Sequence, residues 1–312
     1  MLRNILIGAG LLLAVILGAA WWLLFSDAKA PAKADGVMDI AAWRELVAAD
    51  AGQGPDRIGW LEIGHDEFPS IAVQAGRFAA PVPMSFNAFQ LVWPDRTVII
   101  DTAVDAETME EMSRTPAAAF DPAAYETLLD AMTRADKILL THEHLDHVMG
   151  VARHPDPPAI APQLALTETQ RGALAPFTRG GVLPDAILAV PALDLSQPVR
   201  IAPGVVVAAM SGHSPGSEVI YVQRADGAEF LFIGDIAWTM RNIDDLTTRP
   251  LLLNLLFFDP PEVRANIRAQ LRALHDLKQS DPALTILPAH DRDYLLGLAA
   301  AGTLENGFSA AR

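Results

Sequence analysis

Thr141-His142-Glu143-His144-Leu145-Asp146-His147 packs three histidines and an aspartate into six residues, directly after a short apolar strand expected over Lys137–Thr141. Neutral imidazoles and carboxylates are good ligands for zinc and similar divalent ions. Side chains of an extended segment alternate with period two, so His142, His144 and Asp146 are expected on one side. A turn at Asp146-His147 would then carry His147 to a neighbouring metal position. One tetrahedral ion cannot easily take all four and leave room for distant partners, so the spacing suggests two ions sharing a site. With eight histidines and 25 aspartates in 312 residues, chance places H-x-H-x-D-H in about one of a few thousand such chains. The bland alternative is a solvated polar turn.

Outward from this stretch, strand signals recur. Arg57–Ile63, Ser70–Phe78, Phe86–Trp93 and Thr97–Asp101 precede it, and Val205–Met210, Glu218–Gln223, Glu229–Gly234 and Leu284–Leu287 follow; all are aliphatic or aromatic runs bounded by turn formers. Asp121-Pro122 reads as a cap with proline at the first helical position, opening a helix to about Arg134. Asp259-Pro260-Pro261-Glu262 is expected to open another to about Gln279, with Asp259 as cap and Glu262 three residues on. A short helix is expected from Asp39 to about Ala49, then a loop over Ala51–Pro55. Strands cluster first and then alternate with helices, which fits a mixed two-sheet α/β body.

The stretch THEHLDH resembles the H-x-H-x-D-H signature of the metallo-β-lactamase-fold hydrolases, and the resemblance runs in order from about Ile58 to His290. Asp101, ending Val98–Asp101, resembles an early aspartate behind the metal ligands. His213 resembles the single histidine after the cluster, Asp235 in Phe232-Ile-Gly-Asp235 the carboxylate that bridges two metals, and His290 the last histidine. The resemblance implies a four-layer αβ/βα sandwich of two mixed sheets. It also implies two divalent metal ions, zinc first: His142, His144 and His213 hold one, Asp146, His147 and His290 the other, and Asp235 both.

Two such ions would activate a shared bridging hydroxide at neutral pH. Asp235 and Asp146 are the candidate catalytic carboxylates, with Asp146 orienting the nucleophile or giving a proton to the leaving group. Cleavage of an ester, lactone or thioester is the leading expectation. A phosphodiesterase of the same fold and a non-catalytic metal-containing binding module are the alternatives. Asp235 sets the chain apart from true metallo-β-lactamases, which generally carry cysteine or serine there, and places it nearer the lactonase and glyoxalase-II branches. Trp238 stands where acyl-homoserine-lactone lactonases usually have tyrosine, and Ser217 where they often have histidine. Trp238 is read either as pocket-wall packing or as a substrate contact.

Gly212-His213-Ser214-Pro215-Gly216 also matches the G-x-S-x-G of serine hydrolases, but that mechanism needs an N–H on the residue after the serine and a following helix. Pro215 has no N–H, and a strand is expected next. His65, His154 and His275 lie outside any ligand-like context. Leu251–Phe258, LLLNLLFF, is either a buried helix or strand, or an apolar lid or bilayer-touching surface that would admit a lipophilic small-molecule substrate.

Ile5–Phe25 is a 21-residue run without charge, about 31 Å long as a helix and close to the thickness of a bilayer core. Trp21 and Trp22 stand near its end, at headgroup level. The run is expected to anchor the chain in a membrane through residues 5–25; a cleaved secretory signal is the alternative, though its apolar region is usually shorter. Arg3 and the free amine compete with Lys29 and Lys33 across the span, and the short N-terminal tail favours a body outside the cytoplasm at a bacterial inner membrane. The expected division is an anchor over 1–26, a linker with a short helix over 27–55 and a hydrolase domain over 56–312. Net charge is −15; residues 1–34 carry a local +2, so the remainder carries −17, which argues against nucleic acid as partner or substrate. The chain has no cysteine, which excludes disulfides, thiolate-held metals and a cysteine nucleophile.

Overall fold

The computed structural model describes residues 2–49 and 52–309. Asp50 and Ala51, the start of the expected 51–55 loop, and Ala310–Arg312 lie outside the described residues. Among the described residues, eleven strands form two mixed sheets. The first has the order β11-β1-β2-β3-β5, with β4 also pairing β1, built from β1 (Arg57–Phe68), β2 (Val82–Val92), β3 (Thr97–Ile100), β4 (Ala119–Phe120), β5 (Lys137–Leu139) and β11 (Glu305–Asn306). The second has the order β10-β9-β8-β7-β6, built from β6 (Val199–Ala202), β7 (Val205–Ala209), β8 (Glu218–Gln223), β9 (Glu229–Phe232) and β10 (Leu284–Leu287). β3 runs parallel to β5 and β10 parallel to β9, while β7, β8 and β9 alternate in direction.

Period-two alternation gives each sheet two apolar faces, and both are covered. Between the sheets lie Trp60, Phe89, Val98 and Ile100 against Val207, Ile220 and Phe232; the Phe89 and Phe232 rings meet edge to face at 5.0 Å. The outer face of the first sheet carries α3 (Pro122–Arg134) and α4 (Leu145–Ala152) through Leu128, Met132, Val148 and Val151. That of the second carries α2 (Ile40–Ala48) and α6 (Arg264–Ser280) through Trp43, Val47, Leu271 and Leu274. The layers run helix, sheet, sheet, helix. α3 begins where its cap predicts: the Asp121 side chain accepts from the Ala123 and Ala124 amides, with Pro122 behind it.

Three local expectations differ from the structure. Ser70–Phe78 is not a strand. A turn of helix at Ser70–Val73 is followed by a chain folded back on Ser70, whose hydroxyl joins the Arg77 and Ala79 backbones, with Gly76 at φ +77°. The second strand is Val82–Val92 instead. α6 starts at Arg264 rather than after Asp259, because the Glu262 amide donates to Asn254 Oδ1 and its carboxylate turns inward to Arg249 and His213. The histidine stretch is not extended throughout: α4 begins at Leu145 with His144 at its cap, so Asp146 and His147 stand on the first helical turn.

Two further helices matter for the site. α1 (Leu2–Phe25) is the apolar run, long and apolar enough to cross a membrane, and its apolar stretch is not buried within the protein. α5 (Leu251–Phe257) is neither a strand nor a buried helix: Asn254 is its one buried residue, and Leu255, Leu256 and Phe257 are exposed. The last helix, α7 (Arg292–Ala300), follows His290.

Candidate metal centre

Five strands of like direction end at one edge of the sandwich. β3 delivers Asp101, β5 leads into His142, β7 into the loop bearing His213, β9 into Asp235 and β10 into His290. Strand ends are a natural place for such a site, because backbone freed from the ladder can turn side chains inward while the sheets hold their origins fixed. Gly234 permits the last close approach: at φ +49°, a Cβ there would stand 2.9 Å from Thr141 Cβ.

The seven candidate ligands converge in two groups. His142, His144 and His213 offer nitrogens lying within 4.8 Å of one another, and so do the ligand atoms of Asp146, His147, Asp235 and His290. His144 Nδ1 lies 2.8 Å from His213 Nε2, and His147 Nε2 lies 3.3 Å from His290 Nε2. Asp235 faces both groups. Its Oδ2 is 3.3 Å from His213 Nε2 and 3.9 Å from His142 Nε2, and its Oδ1 is 3.0 Å from His290 Nε2 and 3.5 Å from His147 Nε2. Asp146 Oδ2 lies 3.4 Å from His290 Nε2. His144 and Asp146 are half-buried and form the open side; the other five are buried.

The cluster fits divalent cations. His142 Nε2 is buried with no hydrogen-bond partner, a costly arrangement unless something else satisfies it. Burial, then the charge of His147, holds the His142 pKa well below the usual imidazole value. Burial and His213 take His144 to about 3. Both present neutral lone pairs, the form a metal requires. Burial disfavours the charged form of His147 and His290 as well, but Asp101 and Asp146 raise the first and Asp235 the second above the usual value. Burial would push Asp235 up, yet the charges of His290 and His142 hold it well below the carboxylate range. A proton on these imidazoles and a cation between them answer the same negative charge.

Partners behind the cluster orient the rings. His147 Nδ1 lies 2.9 Å from Asp101 Oδ2, and the Asp101 carboxylate also accepts from the Thr141 amide and hydroxyl. His290 Nδ1 faces the Ser85 carbonyl at 2.8 Å. His213 Nδ1 faces Glu262 Oε1 at 2.8 Å, and Glu262 is paired with Arg249, whose guanidinium also donates to the Asp235 carbonyl. Burial would raise the Glu262 pKa, but Arg249 and His213 bring it to about 2. Trp238 is buried beside Val73 and Met84, and its indole N–H donates to Asp235 Oδ2 at 2.6 Å, under the Arg249 guanidinium. Phe258 lies 4.9 Å edge-on to His213 and stacks on His144 at 5.8 Å.

Arg249 carries no motif, Glu262 read only as part of a helix cap and Phe258 only as the end of the 251–258 apolar run, so none of the three was legible as a partner of the histidine cluster. Ser214 is held by Glu143 and Ser217 rather than by a histidine. His65 pairs with Glu62, and His154 and His275 face backbone carbonyls, all outside the centre.

The family model described as the Metallo-beta-lactamase superfamily matches residues 87–290. Among solved structures, the chain is similar to an N-acyl homoserine lactone hydrolase with its product N-hexanoyl-L-homoserine at the catalytic metal center. That likeness has 13% identity and a TM-score of 0.55, and covers 78% of this chain and 96% of that one. It is also similar to a B. thuringiensis protein with N-decanoyl-L-homoserine at its active site (13%, TM-score 0.56, 78% and 96%). A third is a probable metal-dependent hydrolase from Staphylococcus aureus (14%, TM-score 0.52, 77% and 91%). These likenesses are of fold. No curated protein matches the sequence.

Proposed function

The chain belongs to the metallo-beta-lactamase superfamily as a metal-dependent hydrolase, and we propose that it cleaves an ester, lactone or thioester of a small molecule while anchored in a membrane. The observation that carries this reading is the Asp235 carboxylate, one oxygen turned to each histidine group. His142, His144 and His213 would hold one divalent ion, Asp146, His147 and His290 a second, and Asp235 both, with zinc suited to this nitrogen and oxygen set. Such ions supply Lewis acidity and lower the pKa of coordinated water towards neutrality. Asp146, half-buried at the open side, is placed to orient the nucleophile and to hand a proton to the departing oxygen or sulfur. Asp101, Glu262 and the Ser85 carbonyl keep the imidazoles in position. Phe258 gives the acyl side of the substrate an apolar wall and keeps bulk water off His144 and His213.

The anchor is residues 1–26 and the hydrolase domain 56–312, with the body outside the cytoplasm. The orienting test is metal analysis of the full chain in detergent, joined to a panel of lactones, thioesters, β-lactams and phosphodiesters. About two ions per chain and turnover of a carboxylic ester class is the expected result. Turnover of phosphodiesters alone, or bound metal with no turnover at all, would replace this reading with a phosphodiesterase or a binding module.

A further inference from the structure

The metal centre and the apolar N-terminal helix are linked by one short element. Phe25, ending α1, packs against the body: its ring lies 6.2 Å from that of Phe78, and a Cβ on Gly76 would stand 3.0 Å from it. The chain leaving α1 is pinned at once. Asp27 pairs with Arg264 and Arg268, Ala28 is buried with its carbonyl accepting from the Thr248 amide, and the Ala30 amide donates to the Leu246 carbonyl. α1 and the body therefore hold a fixed relation over this stretch, and α5 packs beside α1.

α5 has two different faces. Asn254 points inward, where its Oδ1 accepts from the Glu262 amide at 2.6 Å, and Glu262 in turn holds His213. Leu255, Leu256 and Phe257 point outward with 52%, 68% and 67% of their surface exposed, and Phe78, beside the end of α1, is 75% exposed. The very next residue, Phe258, stacks on His144. Large apolar side chains left this bare call for a cover. The neighbour on the same side is the tryptophan-bearing end of a helix long and apolar enough to cross a bilayer, where aromatic rings settle at headgroup depth.

We propose that α5 and Phe78 form a second membrane-contacting surface, continuous with α1, which inserts at the lipid interface and opens the metal centre towards the bilayer, so that the substrate is an acyl amphiphile taken from the membrane. The substrate half rests on the ester-hydrolase reading above, and the surface rests only on the reading of α1 as a membrane anchor. An acyl chain leaving the bilayer beside α5 meets Phe258 first, and its carbonyl then lies over the His144 and Asp146 side of the cluster. A second copy of this chain is the competing occupant, but it would have to share this face with the bilayer that surrounds α1.

The chain has no cysteine, so Leu256→Cys in the full-length protein takes a single environment-sensitive dye, with Glu126→Cys on exposed α3 as the reference. In phosphatidylcholine–phosphatidylglycerol vesicles the dye at 256 is expected to shift to the blue and to be quenched by spin-labelled lipid, while that at 126 is not. Equal, weak quenching at both positions overturns the surface. So does shielding at 256 that lipid quenchers cannot reach and that persists in detergent with cross-linking between copies, which would assign the face to a second copy. In a second arm, the L255S/L256S/F257S variant is expected to lose about tenfold or more of its turnover of a long-chain acyl ester in vesicles, with a short-chain, water-soluble ester of the same head group unaffected. Equal losses on both substrates overturn the delivery role. A dye that inserts in a protein hydrolysing no ester leaves the surface standing, overturns the substrate half and sinks the carboxylic-ester reading with it.

Discussion

Trp238 donates its indole N–H to Oδ2 of Asp235 at 2.6 Å, the same oxygen that faces His213. A neutral donor on a carboxylate oxygen fixes the direction of its remaining lone pair and tempers its charge. Trp238→Phe keeps an aromatic wall but removes the donor. Metal affinity measured against a competing chelator is expected to fall about 10- to 100-fold, the range found when groups behind a ligand are removed. Unchanged affinity would mean that the hydrogen bond does not tune the site.

Asp235 serves both groups whereas His213 serves one, and metal counting separates them. Asp235→Ala is expected to retain well under one ion per chain, and His213→Ala about one of about two. Chelation of the wild type should also lower the thermal midpoint, since metal bound only to the native state stabilises it. A midpoint indifferent to chelator would leave the cluster without bound metal.

The Arg249–Glu262 pair is fully buried behind His213. Glu262→Ala strands a guanidinium in the interior and is expected to cost about 3 to 5 kcal/mol in denaturant unfolding. Replacing both residues, as R249M/E262L, should recover most of that stability, because neither charge is then left alone. Metal affinity should stay low in the double variant, since His213 still lacks its acceptor. Recovery of affinity along with stability would show that Glu262 acts through folding alone.

Glu218 is buried with neither carboxylate oxygen hydrogen-bonded. Burial, reinforced by the charge of Asp101, raises its pKa well above 4.5. Between 4.5 and that raised value the native state binds more protons than the unfolded one, so this residue's contribution falls as pH rises. Glu218→Gln removes the dependence. The variant is expected to be more stable than the wild type at pH 7, with the difference closing towards pH 4. A gain that is constant with pH would assign the effect to packing.

What could be read along the chain was whatever short-range geometry settles. The candidate ligands between His142 and His147 are five residues apart at most, and the strands that lead to Asp101, Asp235 and His290 announce themselves by apolar runs and turn formers. Asp121-Pro122 starts a helix because its cap bonds reach only to Ala123 and Ala124. The same kind of signal failed at Asp259-Pro260-Pro261-Glu262. There a buried guanidinium 13 residues away and an imidazole 49 away outbid the local cap for the Glu262 carboxylate.

Trp238 likewise acquired its role only when β9 and the turn after it set its indole against Asp235. The 251–258 run was apolar on any reading. Whether such a run is core or surface depends on what packs beside it, and that neighbour is α1, more than two hundred residues earlier. Sequence alone made legible the His142–His147 cluster and the two-sheet frame, because both follow from local periodicity and the chemistry of side chains close in the chain, while His213, Asp235 and His290 entered only through the family resemblance. The orientation of each imidazole, the burial of Arg249 with Glu262 and the outward face of α5 were decided by tertiary structure, since each depends on which distant group competes best for the same buried charge or the same apolar area.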